Sequence, residues 1–471
     1  MNKDINVLTV ELAGQSLMSD VPFNMPFDTS LDATHNIHID RLSQRLTAEV
    51  SQRWAASVEL TTGSVSVAAD WYGRWLSRSK AAFIHADKPL HRSVRALQFL
   101  LEKDLHLAEL LDNMLRQGSA LQRSEMEVEH AVVETTDEWL LCLHHAVTSA
   151  PKFELERGFG LDPLYGVLVF MLATDAADEF FSHEAVNRCF LQMMNTWYAF
   201  LSSPASLSTL NTGPNGWLCH ESWVRNRLDQ YVTSRMLTDD PVHWGFSTYL
   251  SFQNRRVIQI CRPLDGYSDT PEVNSIVVSP CDGRLSEVLH SVNRKTHVML
   301  RDQSALLSTL VPDDAEFHSE GADFFRINLG VFDLHRWFAP VSGTIVSVEK
   351  IPANRCVAPL LQIMALDPAK SSVNTMVRIL IETKHAAGNK KVLVLALGSA
   401  SSSSVCSYAK AGQCVEKGDE IGWFNDAGGV ICLIFEANLI ERFIHSSPPQ
   451  QLSVCQQTHL RAKAQIAVVD I

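Results

Sequence analysis

Several short polar segments in this chain carry side chains able to move protons or hold charge. Ser279-Pro-Cys-Asp-Gly283 presents the thiol of Cys281 and the carboxylate of Asp282. His335-Arg336 sets an imidazole beside a guanidinium, with Phe338 two residues on. Asn425-Asp-Ala-Gly-Gly429 places Asp426 just before Gly428 and Gly429, and Leu397-Gly-Ser399 opens a run of serines to Ser404. An imidazole and a carboxylate whose pKa values are pushed apart by burial make an acid/base pair, and an arginine can clamp a substrate carboxylate through two hydrogen bonds. Each segment also has a plainer use. Asn-Asp-Ala-Gly-Gly is turn chemistry by itself, a buried imidazole can tie two turns together, and Arg336 has 53 acidic residues to pair with.

Other chemistries find less support. No Cys/His pattern has metal-ligand spacing: His144 and His145 are adjacent on a predicted helix and point about 100° apart, and His35 and His38 lack a third ligand nearby. No metal site is expected. Glycine-rich phosphate loops and the G-x-S-x-G elbow are absent. A net charge of −13 argues against nucleic acid or an anionic membrane surface as partner. The ten cysteines are scattered, which predicts free thiols in a reducing compartment. The longest apolar stretches, Gly166–Ala173 and Val392–Leu397, fall far short of the ~20 residues of a membrane helix, and the first residues carry no apolar leader run. A cytoplasmic protein with no membrane span, able to form a homo-oligomer, is expected.

The elements that must position these groups change texture along the 471 residues. Apolar residues at three- and four-residue steps predict helices over about 89–116, 128–147, 164–177 and 184–201, with Pro89 in a first helical position. Past Trp244 come short β-branched runs at 275–279, 344–348, 376–382, 392–397 and 430–435. Ser279–Val288 and Ala339–Val348 share the frame P-x-x-G-x-[L/I]-x-x-V, and Ala411–Phe424 reads as a β-hairpin. The sequence therefore predicts an α+β protein. An N-terminal arm occupies 1–85, a helical domain 86–240, and a β-rich barrel or sandwich domain with repeated hairpins 241–471.

Taken together, the S-P-x-D-G turn, the His335–Ile345 run H-R-W-F-A-P-V-S-G-T-I and the K-G-D-E-I-G-W-F segment before a glycine loop resemble the phosphatidylserine decarboxylase family of pyruvoyl enzymes. The wider match is similar to its soluble fungal L-tryptophan decarboxylase branch, which serves indole-alkaloid pathways. It is carried by Asn195–Ser203, Gly216–Leu218 and Gly245–Arg256, and spans roughly 90–445.

The resemblance implies demanding chemistry. A serine in the glycine loop attacks the preceding carbonyl, the chain splits, and the serine becomes a pyruvoyl group that takes the substrate amine as a Schiff base. An Asp and a His assist the serine. Here the Asp is present as Asp282. The family's H-R-x-H pair keeps His335, but its second histidine is Phe338. With register fixed by Phe424 and by Phe435-Glu436, the cleavage serine falls on Gly429, which has neither a hydroxyl nor a Cβ. No pyruvoyl cofactor is expected. Ser399 mimics the motif in letters but precedes the K-G-D-E-I-G segment, so a serine-rich turn is expected there. The pocket implied by the resemblance holds Asp282, His335, Arg336 and Asp426, with Cys281 and Glu436 nearby. His335, Asp282 and Asp426 are the expected catalytic groups, and Arg336, Phe338, Gly428 and Gly429 the expected substrate contacts. The leading expectation is a secondary-metabolite enzyme running a non-decarboxylating acid/base step (cyclisation, condensation, isomerisation or elimination) on an amino-acid-derived small molecule. The alternatives are a non-catalytic paralogue that binds a ligand or an active decarboxylase, and a decarboxylase processed elsewhere or using an external cofactor.

Overall fold

The structure is a computed structural model that describes residues 65–86, 89–125, 130–153, 162–172, 174–265, 275–300, 303–312, 315–356, 374–426, 428–446 and 458–469. His35, His38, Cys455 and most of the expected N-terminal arm lie outside the described residues. Among the described residues, α1 (Val65–Ala86), α2 (Arg92–Lys103), α3 (Leu105–Glu125), α4 (Thr136–Thr148), α5 (Pro163–Leu172), α6 (Ala177–Ser182), α7 (Glu184–Leu201), α8 (His220–Arg225), α9 (Ser234–Asp239) and α10 (Tyr249–Gln253) form the helical part. Helix α5 is buried almost all round and serves as its centre, as an apolar helix without a polar face must. Trp71, Tyr72, Trp75 and Leu76 of α1 join the same core.

Local chemistry moves several predicted boundaries. The expected helix over 89–116 is two helices, because Asp104 is extended and its carboxylate accepts the Leu107 N–H at 3.2 Å, capping α3. Pro89 stands outside α2, whose N-cap is His91. Helix α4 starts at Thr136 rather than near 128, where Thr135 and Glu138 form a reciprocal capping box.

Then follow β1 (Ile276–Val278), β2 (Gly283–Val292), β3 (His297–Leu300), β4 (Gln303–Leu306), β5 (Ala322–Leu329), β6 (Arg336–Phe338), β7 (Gly343–Ile351), β8 (Met376–Thr383), β9 (Lys390–Leu397), β10 (Val405–Ser407), β11 (Cys414–Val415), β12 (Glu420–Phe424), β13 (Gly429–Phe435), β14 (Ile440–Phe443), β15 (His459–Leu460) and β16 (Gln465–Val469). An antiparallel eight-stranded sheet runs β11-β7-β8-β9-β13-β5-β2-β15. Its inner face packs on two three-stranded sheets, β1-β16-β14 and β10-β12-β6, and its outer face is covered by the β3-β4 hairpin and Phe317. Strands β9 and β13 are buried on both faces, so Ile431, Leu433 and Phe435 enter one core while Val430, Cys432 and Ile434 enter the other. The protein is α+β.

The repeated frame has a shared physical cause. Gly283 and Gly343 each open a strand where a Cβ would strike a neighbouring strand's carbonyl, 2.6 Å from Asn328 O and 2.1 Å from Glu382 O. The expected hairpin over 411–424 is not one: β11 pairs with β7, whereas β12 pairs with β10 and β6.

Candidate functional site

The glycine loop leaves β12 at Phe424 and re-enters the sheet at Gly429. Its first two residues are stitched to the serine run. Asn425 N–H donates to Ser404 O at 2.8 Å and its side-chain amide to Ser403 O at 2.7 Å. Asp426 reaches the same turn: one carboxylate oxygen accepts the Ser399 N–H at 2.5 Å, and the other accepts the Ser399 hydroxyl at 3.0 Å. Tyr198, on α7, completes the corner by donating its hydroxyl to Asp426. Burial pushes the Asp426 carboxyl well above the usual carboxylate range, and the Ser399 N–H offsets only part of that.

His335 sits one hydrogen bond away from this corner but does not share it. The Gln253 amide nitrogen lies 3.0 Å from His335 Nδ1 and 3.3 Å from the Asp426 backbone carbonyl, so it bridges them. The other ring nitrogen, Nε2, lies 3.2 Å from Gly330 O. Donation from Gln253 makes Nδ1 the acceptor and Nε2 the N–H, which fixes the neutral tautomer. Burial, then the charge of Arg255, pull the pKa down to about 4. The expected His335–Asp426 acid/base pair is therefore not made; the imidazole ties two turns together.

The remaining expected groups are also engaged. Asp282 receives Arg262 through two hydrogen bonds, at 2.5 and 3.0 Å, and the Ala462 N–H at 2.7 Å. Arg336 is spent on Glu420, Tyr408 and the Asn254 carbonyl at 2.8 Å, which leaves it no clamp for a substrate carboxylate. Phe338 is buried under the Lys463 ammonium, 4.4 Å from its ring centroid. Gly428 and Gly429 are buried, and a Cβ on Gly429 would lie 2.8 Å from three atoms of the Phe424 ring. Cys281 is buried with its thiol pKa raised by desolvation. Glu436 lies at the far end of β13, roughly 23 Å of extended chain from Gly429, and accepts the Lys391 N–H at 2.8 Å.

Sequence reasoning passed over several partners. Tyr198, Gln253 and Asn254 all lie in the two helical segments that carried the resemblance, which was the available signal that those segments touch the loop. One imidazole–carboxylate pair does occur here, His459 with Asp333 at 2.7 Å. That hydrogen bond raises the pKa of His459, and Asp333 in turn accepts the Gly330 N–H at 2.7 Å. A hydrogen-bonded series thus runs from the Asp426 carbonyl through Gln253, His335, Gly330 and Asp333 to His459. Among the described residues no His/Cys/Asp/Glu group is arranged to hold a metal ion, and no helix is long and apolar enough to cross a membrane.

Comparison with known proteins converges on one family. Two phosphatidylserine decarboxylase family models match, over residues 91–225 and 251–458. Decarboxylase iboD of Amanita muscaria is 25% identical over 304 residues, covering 60% of this chain and 85% of that protein. An L-tryptophan decarboxylase of Psilocybe cubensis is 25% identical over 314 residues, covering 60% of this chain and 70% of that protein. Phosphatidylserine decarboxylase proenzyme 2 of Oryza sativa subsp. japonica is 27% identical over 205 residues, covering 43% and 31%. With both halves matched in order, the chain belongs to the phosphatidylserine decarboxylase family.

Proposed function

We propose that this chain is a pyruvoyl-free member of its family that acts on an amino-acid-derived small molecule by acid/base chemistry rather than decarboxylation. The observation that carries the reading is the pair of changes in the glycine loop. Position 429 lacks a hydroxyl, and the Phe424 ring fills the space a side chain would need. Three residues earlier a buried carboxyl, Asp426, is held by Tyr198 and Ser399. The residues present do not fit a carbonyl group built from the chain's own serine.

The new corner suits proton transfer. Burial biases the Asp426 carboxyl toward its neutral form, in which it can donate a hydrogen bond and a proton. Hydroxyls beside it can share a negative charge developing on a substrate oxygen. The likeness to an L-tryptophan decarboxylase supports an amino-acid-derived substrate. His335 and Asp282 act as positioning groups in this reading: the imidazole holds Gln253 against the loop, and Asp282 anchors Arg262.

A second reading, a ligand- or partner-binding paralogue, is favoured by the full engagement of Asp282, His335 and Arg336 with other side chains and backbone. The two separate by experiment. Intact mass should give one chain near 52.5 kDa that is silent to hydrazine; a cleaved, hydrazine-reactive chain overturns both. Metabolites from cells carrying the wild type or Asp426→Asn are then compared. Loss of a product with the fold intact supports the enzyme, and unchanged metabolites remove Asp426 from any catalytic role.

A further inference from the structure

The turn between β15 and β16 lies beyond the matched family segment, yet it is locked onto the Asp282 turn. Ser279 N–H donates to Ala464 O at 2.7 Å, Lys463 N–H to Ser279 O at 2.9 Å, and Ala462 N–H to Asp282 at 2.7 Å. Lys463 also accepts the Asp265 N–H at 3.0 Å, and it holds φ at +70°, a left-handed conformation that side-chain-bearing residues seldom adopt. That strained, over-determined backbone aims a half-buried side chain at Phe338. The ammonium makes no hydrogen bond or ion pair among the described residues; its one close partner is the ring, at 4.4 Å.

Phe338 occupies the position where the resemblance places the family's base, and Asp282 is the neighbouring acid. Lys463 therefore presents a primary amine inside the constellation that elsewhere serves to make a carbonyl. We propose that Lys463 captures a carbonyl substrate, so that the amine comes from the protein and the aldehyde or 2-oxo acid comes from the ligand. This rests on the pyruvoyl-free reading and names the substrate class for it. Desolvation lowers the Lys463 pKa, and the negative charges of Asp419 and Glu420 oppose that shift without cancelling it. A larger share of the group is thus free amine at neutral pH than on an exposed lysine.

The step balances. The amine lone pair attacks the carbonyl carbon, a C–N bond forms, and the carbonyl π pair moves to oxygen, which takes up a proton. The nitrogen gives up its protons as the C–O bond breaks and water leaves, so that an imine and one water are the products.

The test uses the intact chain at neutral pH with glyoxylate, the smallest 2-oxo acid, and cyanoborohydride, whose hydride reduces the imine to a stable secondary amine. Peptide mapping should find Lys463 modified several-fold faster than the exposed Lys295 and Lys410, and the map of a folded Lys463→Arg variant should lack that fast site. Modification of Lys463 at or below the rate of Lys295 and Lys410 overturns the proposal. So does an unchanged fast phase in Lys463→Arg. Hydrazine on untreated protein keeps the two readings apart. A hydrazine-reactive chain defeats the pyruvoyl-free reading whatever Lys463 does, and an inert Lys463 in a hydrazine-silent chain defeats only the amine.

Discussion

Asp282 and Asp426 are both carboxylates removed from water, yet one is met by a guanidinium and the other by two hydroxyls and an amide N–H. At Asp282 the Arg262 guanidinium compensates the charge, and nearby Phe338 is buried, as is the Phe424 ring over Gly429. At Asp426 burial outweighs the Ser399 N–H, so the acid is driven toward its neutral form. A buried ion pair fixes geometry, whereas a buried neutral acid keeps a proton available.

The sharpest way to break this contrast is to remove one partner of the ion pair. Asp282→Ala leaves the Arg262 guanidinium buried and uncompensated, and should cost about 3–5 kcal/mol in urea denaturation. Replacing both Asp282 and Arg262 by leucine should recover much of that loss. An equal loss in the single and double variants would show that the pair is not what holds the turn.

Next in size is a pH effect at His335. Its pKa falls from 6.5 in the unfolded chain to about 4 in the fold, so the unfolded chain binds the proton more readily. The stability this burial contributes is therefore complete above pH 6.5 and is lost as pH falls toward 4, with an upper bound on the order of 3 kcal/mol. His145 shifts the same way, so the readout is the difference between the wild type and His335→Gln across that window. Parallel curves would place the ring outside the buried network.

Gly429→Ser should lose about 1–3 kcal/mol by overpacking against Phe424, and it should remain uncut by intact mass. Combined with Phe424→Leu it should lose less than the two single changes together. Strict additivity would mean that the ring does not fill the serine's space.

The smallest effect belongs to Asp426→Asn. A carboxyl whose pKa is raised by folding contributes fully below its unfolded value and loses that contribution as pH rises through the folded one. The amide should thus leave stability at pH 7 unchanged or slightly higher, whereas Tyr198→Phe should cost about 1 kcal/mol. A large loss in Asp426→Asn would mean that the native group is ionised, and the contrast with Asp282 would collapse.

Much of the scaffold was legible from one-dimensional pattern. Helix α7 and strands β8, β9 and β13 sit where periodicity and β-branched runs predicted them. The break at Asp104 was not legible, because the apolar spacing runs on through a residue whose capping role appears only once Leu107 is placed. The false hairpin over 411–424 failed for a related reason: turn residues mark where a chain reverses but not which strand it then pairs with.

Sequence by itself determined the family, the unbroken apolar runs of β9 and β13, and the residue types at positions 338, 426 and 429. Those depend on residue type and on spacing along the chain, which a linear string records in full. Only the tertiary structure decided what each surviving group does. It gave Asp282 to Arg262, Arg336 to Glu420, Asp426 to Tyr198 and Ser399, and set Lys463 over Phe338. A buried charge takes its protonation state from the atoms packed within a few ångströms, and here those atoms come from residues 20 to 228 positions away.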